Sequence, residues 1–251
     1  MRQYGFRAGR GTSFVTSLIN DVTSYFNAAG SPVYLCTLDA EKCFDSIWHS
    51  GLFYKLWGNI SPQYWALLLN LYESSQATVK WENHTSKVFN ISRGMKQGSL
   101  VSPTLFNVFI DDLLYELKNT DCGVRVDDLL LNSCTYADDV TLFSSTIPGL
   151  QRLMNISAYY AKLWRFSFST RKTKCIVLGK QVTKEAPKFY LKDHLIPIAD
   201  QVDILGTTFT SDNKNAVHIN SRISACRRSI YGLTSVGMSY PGLSSEVKAY
   251  I

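Results

Sequence analysis

Apolar positions along the chain change their period repeatedly, and each change marks an element. Residues 12–29 read as a helix with nothing worse than β-branched residues inside it. Val33, Tyr34, Leu35, Cys36, Thr37 and Leu38 then run on almost without a polar break, which predicts a buried strand over 32–39. Residues 46–57 and 61–74 read as helices, the second opened by Ser61 as N-cap and Pro62 at the first helical position. A hairpin is expected over 76–92, turning near Glu82, Asn83 and His84. Ser102 and Pro103 repeat the cap-plus-proline start. The helix that follows carries Leu105, Phe106, Phe109, Ile110, Leu113, Leu114 and Leu117 on one face.

Residues 122–126 and 129–144 read as strands, the second folding back on itself around Ala137, Asp138 and Asp139. A helix over 148–164 turns Leu150, Leu153, Met154, Ala161 and Trp164 inward. Short strands are expected at 174–179 and 202–209. A last helix over 215–236 has Ala216, Ile219, Ile223, Cys226, Ile230 and Leu233 spaced three and four apart. Strands and helices mix without strict alternation. That pattern predicts an α+β architecture, with helices packed on one face of an antiparallel sheet.

Composition narrows the picture only a little. A chain of 251 residues that is 45% hydrophobic and 13% aromatic supports a sizeable core in one large domain, or one domain and part of another. The formal charge of +6 suits a polyanionic partner without requiring one. The six cysteines form no C-x-x-C pair, so neither a zinc site nor a redox motif is indicated, and reduced core thiols are expected. No signal peptide is seen and no apolar run approaches the ~20 residues of a membrane span, which predicts an intracellular chain.

Three segments concentrate the chemistry. Asp138 and Asp139 stand side by side between strand-like flanks, although Asp is a poor strand former and like charges repel. A divalent metal at the tip of a hairpin would accommodate them; an ordinary Asp-rich turn in solvent explains the segment equally well by itself. Asp39 ends an otherwise apolar strand, where a lone carboxylate is expensive unless paired or metal-bound. Strand and hairpin together could present three carboxylates to two magnesium ions about 4 Å apart, the arrangement that clamps an in-line phosphoryl displacement. Asp45 better suits the N-terminus of the next helix than a ligand role. Gly98 allows close backbone approach to a ligand, and Gln97 can hydrogen-bond a base or sugar. Taken singly, residues 94–103 read as a glycine-containing loop ending in a helix cap.

In this order and spacing, the three segments resemble reverse transcriptases. Asp39, Phe44 and Asp45 resemble the family's motif A. Gln97, Gly98, Ser102 and Pro103 resemble motif B. Tyr136-Ala137-Asp138-Asp139 resembles the Y-A-D-D of motif C. Gly5-Phe6-Arg7-Ala8-Gly9-Arg10 is similar to the segment preceding motif A in non-LTR retrotransposon and group II intron enzymes. Lys172-Thr173-Lys174 resembles motif D, and Ile204-Leu205-Gly206 resembles motif E. The likeness spans about residues 3–210 and points to the non-LTR kind.

The resemblance implies a right-hand polymerase palm, with partial fingers over 1–30, palm over 31–210 and the beginning of a thumb over 211–251. It implies an RNA-directed DNA polymerase using an RNA template, a DNA primer, a dNTP and two Mg2+ ions. Asp39, Asp138 and Asp139 would bind the metal and carry catalysis. Phe44 would sit under the nucleotide sugar and exclude a 2′-hydroxyl, which argues against an RNA-synthesising palm. Gln97 and Gly98 would contact template and nucleotide, while Arg7 and Lys172 would lie near the triphosphate. Work in the nucleus is implied, although no targeting signal is visible. Cys43 stands where the family usually has Ala, and Ser169 where Asn is common. The upstream finger strands are expected to be missing, so the chain by itself is expected to polymerise poorly. The alternative is a fragment that binds nucleic acid without polymerising.

Overall fold

Odd and even positions of one central strand divide the molecule into two cores. The computed structural model describes residues 3–7, 9–96, 98–179 and 186–233. Helix α1 (Thr12–Ala28) leads into strand β1 (Val33–Asp39). The short helix α2 (Cys43–Ser46), α3 (His49–Leu56) and α4 (Pro62–Glu73) follow. The helix expected over 46–57 therefore starts late, at His49. Ile47 is fully buried with an extended ψ of 120°, and its carbonyl accepts from the Gly94 N–H at 2.9 Å instead of continuing a helix. Asp45 lies inside α2 and does not cap the next helix. Lys42 precedes α2 in a left-handed conformation and Trp48 precedes α3, neither with a side-chain cap bond. Ser61 does cap α4, accepting from Tyr64 N.

Strands β2 (Gln76–Ala77), β3 (Lys80–Trp81), β4 (His84–Thr85) and β5 (Phe89–Asn90) make the expected hairpin, with Glu82 at φ 50° in its turn. In helix α5 (Ser102–Lys118) the cap is Val101. Ser102 sits one residue inside, and its hydroxyl donates to the Lys96 carbonyl at 2.7 Å. Strands β6 (Val124–Val126), β7 (Leu129–Leu131), β8 (Ser133–Tyr136) and β9 (Asp139–Ser144) come next, then helix α6 (Ile147–Leu163) capped by Thr146. The chain continues through β10 (Lys174–Leu178), β11 (Phe189–Leu191), β12 (His194–Ile196), β13 (Gln201–Ile204), β14 (Thr207–Thr210) and α7 (Ala216–Leu233).

The central sheet has the order β10-β1-β9-β8, and every pair is antiparallel. Because successive side chains leave opposite faces, Tyr34, Cys36 and Leu38 join Val140 and Leu142 under α5 and α6, in a core that includes Phe106, Phe109, Leu150 and Leu153. Each such side chain, fully buried, contributes roughly 1.5–3 kcal/mol. Val33, Leu35 and Phe143 face the other way, against Val15, Ile19 and Val22 of α1 and Val202, Ile204 and Phe209 of β13 and β14. Asp39 and Asp139 share the parity of this second set. Their side chains leave the sheet on the face opposite α5 and α6, at its end.

Two expectations near the C-terminal side change. The strand expected at 202–209 is a hairpin, turned by Leu205 and Gly206, which both have positive φ. The α7 stripe expected to be inward is open: Ile219, Ile223 and Ile230 are 52%, 45% and 54% exposed, and Cys226 is exposed too. Residues 234–236 of that expected helix lie outside the described residues. Cys36, Cys43, Cys134 and Cys175 are buried thiols, as expected of small core hydrophobes. Among the described residues, no helix is long and apolar enough to cross a membrane.

Candidate active site

Strand register makes the first contact of the site. Asp39 and Asp139 are direct partners across β1 and β9, the last pair of a ladder that begins at Tyr34 and Ser144. Side chains opposed in this way stand about 4.5–5.5 Å apart at Cβ, and like charges there repel. Asp138 precedes the ladder in the β8–β9 turn, which Ala137 enters with φ 56°. The carboxylates sense one another. Asp139 is held above its ordinary value of 3.8, by burial first and then by the charges of Asp138 and Asp39. The buried Cys43 thiol is likewise pushed up by burial and by the same two carboxylates, so it lies beneath the cluster.

Lys172 supplies a countercharge. Its Nζ donates to Asp39 Oδ1 at 3.2 Å and Oδ2 at 3.4 Å, and it lowers the Asp139 value against the other influences. Backbone bonds set this reach. Ser169 N donates to the Asp39 carbonyl at 2.8 Å, Glu41 N to Ser167 O at 2.8 Å, and Thr173 N to Ser169 O at 2.9 Å. The loop carrying Lys172 is therefore laced to the end of β1. Among the described residues, no three His, Cys, Asp or Glu side chains are drawn together closely enough to cage an ion as they stand. Asp39, Asp139, Thr37, Thr141, Lys172 and Asp203 line a small cleft of about 120 Å³.

The other residues singled out from the sequence lie outside the lining of this cleft or outside the described residues. Phe44 is half-buried, stacked on Phe106 at 4.9 Å between centroids and met edge-on by Phe6 at 6.1 Å. Its carbonyl accepts from Met95 N, which ties the residues of the second segment to the first. Gly98 is exposed with φ 80°, a conformation that glycine adopts freely and other residues do not. Gln97 lies outside the described residues. Arg7 is exposed and lines a different cleft of about 760 Å³, with Gln3, Phe6, Tyr54, Lys55 and Asp111 among its walls.

Two residues here escaped the reading of the sequence. Asp203 brings a further carboxylate to the small cleft and accepts from the Thr208 hydroxyl at 2.6 Å. In the sequence it was one polar position in an alternating strand. Gln3 is buried and bonded to Ala137, beside Asp138. Only its place next to the Gly-Phe-Arg segment could have drawn attention to it.

Comparison with known proteins gives this geometry a family. Residues 1–209 match the family described as "Reverse transcriptase (RNA-dependent DNA polymerase)". The chain is 28% identical over 224 residues to the "Retrovirus-related Pol polyprotein from type-2 retrotransposable element R2DM" of Drosophila melanogaster, covering 85% of this chain and 21% of that protein. It is 26% identical to the "RNA-directed DNA polymerase from mobile element jockey" of Drosophila funebris, covering 87% of this chain and 24% of that protein. Both relatives are proteins of mobile elements, and the chain spans only about a fifth to a quarter of their lengths. The solved structure of an apo telomerase from Candida tropicalis, truncated from its C-terminal domain, superposes with a TM-score of 0.58 at 13% identity, over 84% of this chain and 39% of that one. The shared architecture is the polymerase palm, an antiparallel sheet bearing paired helices. With 209 of its 251 residues matched, the chain belongs to the reverse transcriptase family.

Proposed function

We propose that this chain carries RNA-templated DNA synthesis. The 3′-hydroxyl of a DNA primer attacks the α-phosphate of a deoxynucleoside triphosphate, a new phosphodiester forms, and pyrophosphate leaves. The observation that carries the reading is the pairing of Asp39 with Asp139 across the sheet, with Asp138 in the adjoining turn. The carboxylates of Asp39, Asp138 and Asp139 are hard oxygen donors of the kind a divalent cation takes, and the upward push on Asp139, from burial first and then from the charges of Asp138 and Asp39, is what such a cation would relieve. Two Mg2+ ions held by Asp39, Asp138 and Asp139 would supply charge stabilisation and lower the pKa of the attacking hydroxyl.

The chain's own residues do the positioning. Lys172 holds an ammonium at the rim of the carboxylates, where the negative charge of a triphosphate gathers. Phe44, stacked on Phe106 and met edge-on by Phe6, would place a ring where a 2′-hydroxyl would clash. Gly98, exposed before α5, would let template or nucleotide approach the backbone, and the resemblance to motif B assigns Gln97 to the same contact. Arg7, exposed on the larger cleft, offers a further cation to the phosphates. An RNA template, a DNA primer and a dNTP are thus the proposed partners, and chromosomal DNA in the nucleus the proposed setting.

The test is primer extension on an RNA template with Mg2+. It compares the chain, and a chimera carrying the flanking segments of the R2 relative, with Asp39→Asn and Asp138→Asn versions of each. Extension should fall by at least about 100-fold in either variant, as misplaced reacting groups cost at this scale. Extension at the wild-type rate in both would overturn the assignment.

A further inference from the structure

The turn that presents Asp138 and Asp139 is held from far away in the chain. Gln3 is 3% exposed. Its Oε1 accepts from Gly5 N at 2.8 Å and from Ala137 N at 3.1 Å, while its Nε2 donates to the Ala137 carbonyl at 3.1 Å. One carboxamide thus satisfies both backbone groups of a residue 134 positions away. Ala137 needs the support. A left-handed conformation is unfavourable for a residue with a Cβ, and the next residue is Asp138.

The neighbouring bonds act on the same place. Gln3 bridges to Thr135, and Tyr4 N donates to Thr135 O at 2.9 Å, so the segment runs along β8. Gly5 passes so close that a Cβ there would stand 2.2 Å from Ala137 N. From α5, Asn107 Nδ2 donates to the Gly5 carbonyl at 3.2 Å. Just beyond, Phe6 meets Phe44.

We infer that Gln3 is a positioning residue, whose carboxamide holds the Ala137 backbone left-handed and so aims Asp138 and Asp139. The inference rests on the proposed metal-binding role of those carboxylates. A carboxamide is the side chain that can donate to the carbonyl and accept from the N–H of one residue together; a carboxylate lacks the donor, and methionine has neither strong group. Without it, two buried backbone groups lose their partners. The relaxation that rescues them turns Ala137 out of the left-handed region and rotates Asp138 away.

The experiment uses the full chain with Mn2+ as the probe, titrated by electron paramagnetic resonance. Gln3→Met, Gln3→Glu and Asp138→Asn are compared, with thermal midpoints and amide hydrogen exchange at Gly5 and Ala137 measured alongside. Gln3→Met should weaken Mn2+ binding by about tenfold or more, the loss typical when a group supporting a ligand is removed. Protection at Ala137 should fall while distant core amides stay protected. Gln3→Glu, which keeps the two accepting bonds and loses the donating one, should fall between wild type and Gln3→Met.

Wild-type Mn2+ binding by Gln3→Met, with binding lost in Asp138→Asn, would overturn the inference and leave the metal reading standing. Wild-type binding by Asp138→Asn would instead overturn the metal reading, and with it the functional part of this inference. Unchanged exchange at Ala137 in Gln3→Met would overturn the structural part. Unfolding of both Gln3 variants would also overturn it, because the residue would then hold the whole fold and not the turn.

Discussion

Asp39 and Asp139 oppose each other as the last pair of the β1–β9 ladder, and Lys172 reaches Asp39 at 3.2 Å from the loop before β10. Two like charges are thus set face to face by strand register, with a mobile-headed cation as their neighbour. The ladder fixes the two backbones opposite each other, so the carboxylates leave the sheet side by side.

The burial of Asp139, and after it the charges of Asp138 and Asp39, have a pH signature. Asp139 is raised above its ordinary 3.8, so between 3.8 and its folded value the folded chain keeps a proton that the unfolded chain has released. The stability linked to this proton is fully present below 3.8 and is lost as pH rises through the folded value. At pH 7, without metal, Asp139→Asn should therefore raise the thermal midpoint by about 1–3 °C, the scale of a surface charge effect in a domain of this size. The gain should shrink as pH falls toward 3.8. Calorimetry from pH 4 to pH 8 checks it, and a midpoint lowered by the substitution at pH 7 would refute the crowding.

Lys172 and a divalent cation compete for Asp39. Lys172→Met should tighten Mn2+ binding in the absence of nucleotide, while raising the KM for dNTP in primer extension. Its effect on stability should stay within about 1 kcal/mol, because the pair is exposed on the Lys172 side. The two ligands should respond in opposite directions; weakening of both would mean that Lys172 only shapes the loop.

Phe44 separates gate from core. Phe44→Val should raise ribonucleotide incorporation relative to deoxyribonucleotide, because the ring that blocks a 2′-hydroxyl is gone. The lost stack on Phe106 should cost about 1–3 kcal/mol of stability. A stability loss with unchanged ribo/deoxy selectivity would leave Phe44 a core residue alone.

Lys55 is the buried charge on which the α3–α5–α6 junction depends. Burial lowers its pKa while Asp112 pulls it back. Its Nζ donates to the Phe109 carbonyl at 2.7 Å, pairs with Asp112 at 2.8 Å and lies 3.7 Å from the centroid of the Trp164 ring. Lys55→Ala removes the stem along with the charge and should cost about 3–5 kcal/mol. Lys55→Met keeps the stem. Asp112 returns to water, and Tyr160 still donates to Phe109 O at 2.6 Å, so the loss should stay near 1–2 kcal/mol. Denaturant unfolding of the two variants checks the order, and equal losses would contradict it.

The central strand, the hairpin and the amphipathic helices were legible because each writes its own period. Seven apolar residues of α5 at helical spacing are all buried where the pattern put them. The late start at His49 of the helix expected over 46–57 was not legible. It arises from a bond between Ile47 and Gly94, and no local pattern encodes a partner 47 positions away. The open stripe of α7 errs in the other direction. Helical period shows which face is apolar, while only the surrounding chain determines whether anything covers it.

By itself the sequence determined which side chains could carry the chemistry. Asp39 at the end of an apolar strand, and Asp138 and Asp139 in a reversal between two strands, are anomalies that local propensity reveals. Only the tertiary structure decided how they meet. The β1–β9 register set Asp39 opposite Asp139, the Ser169–Asp39 backbone bond brought Lys172 onto Asp39, and Gln3 took hold of Ala137. A residue's own preferences act over a turn or a strand pair, whereas these contacts join segments a hundred positions or more apart. They form only once burial of both faces of the sheet has fixed where each strand must lie.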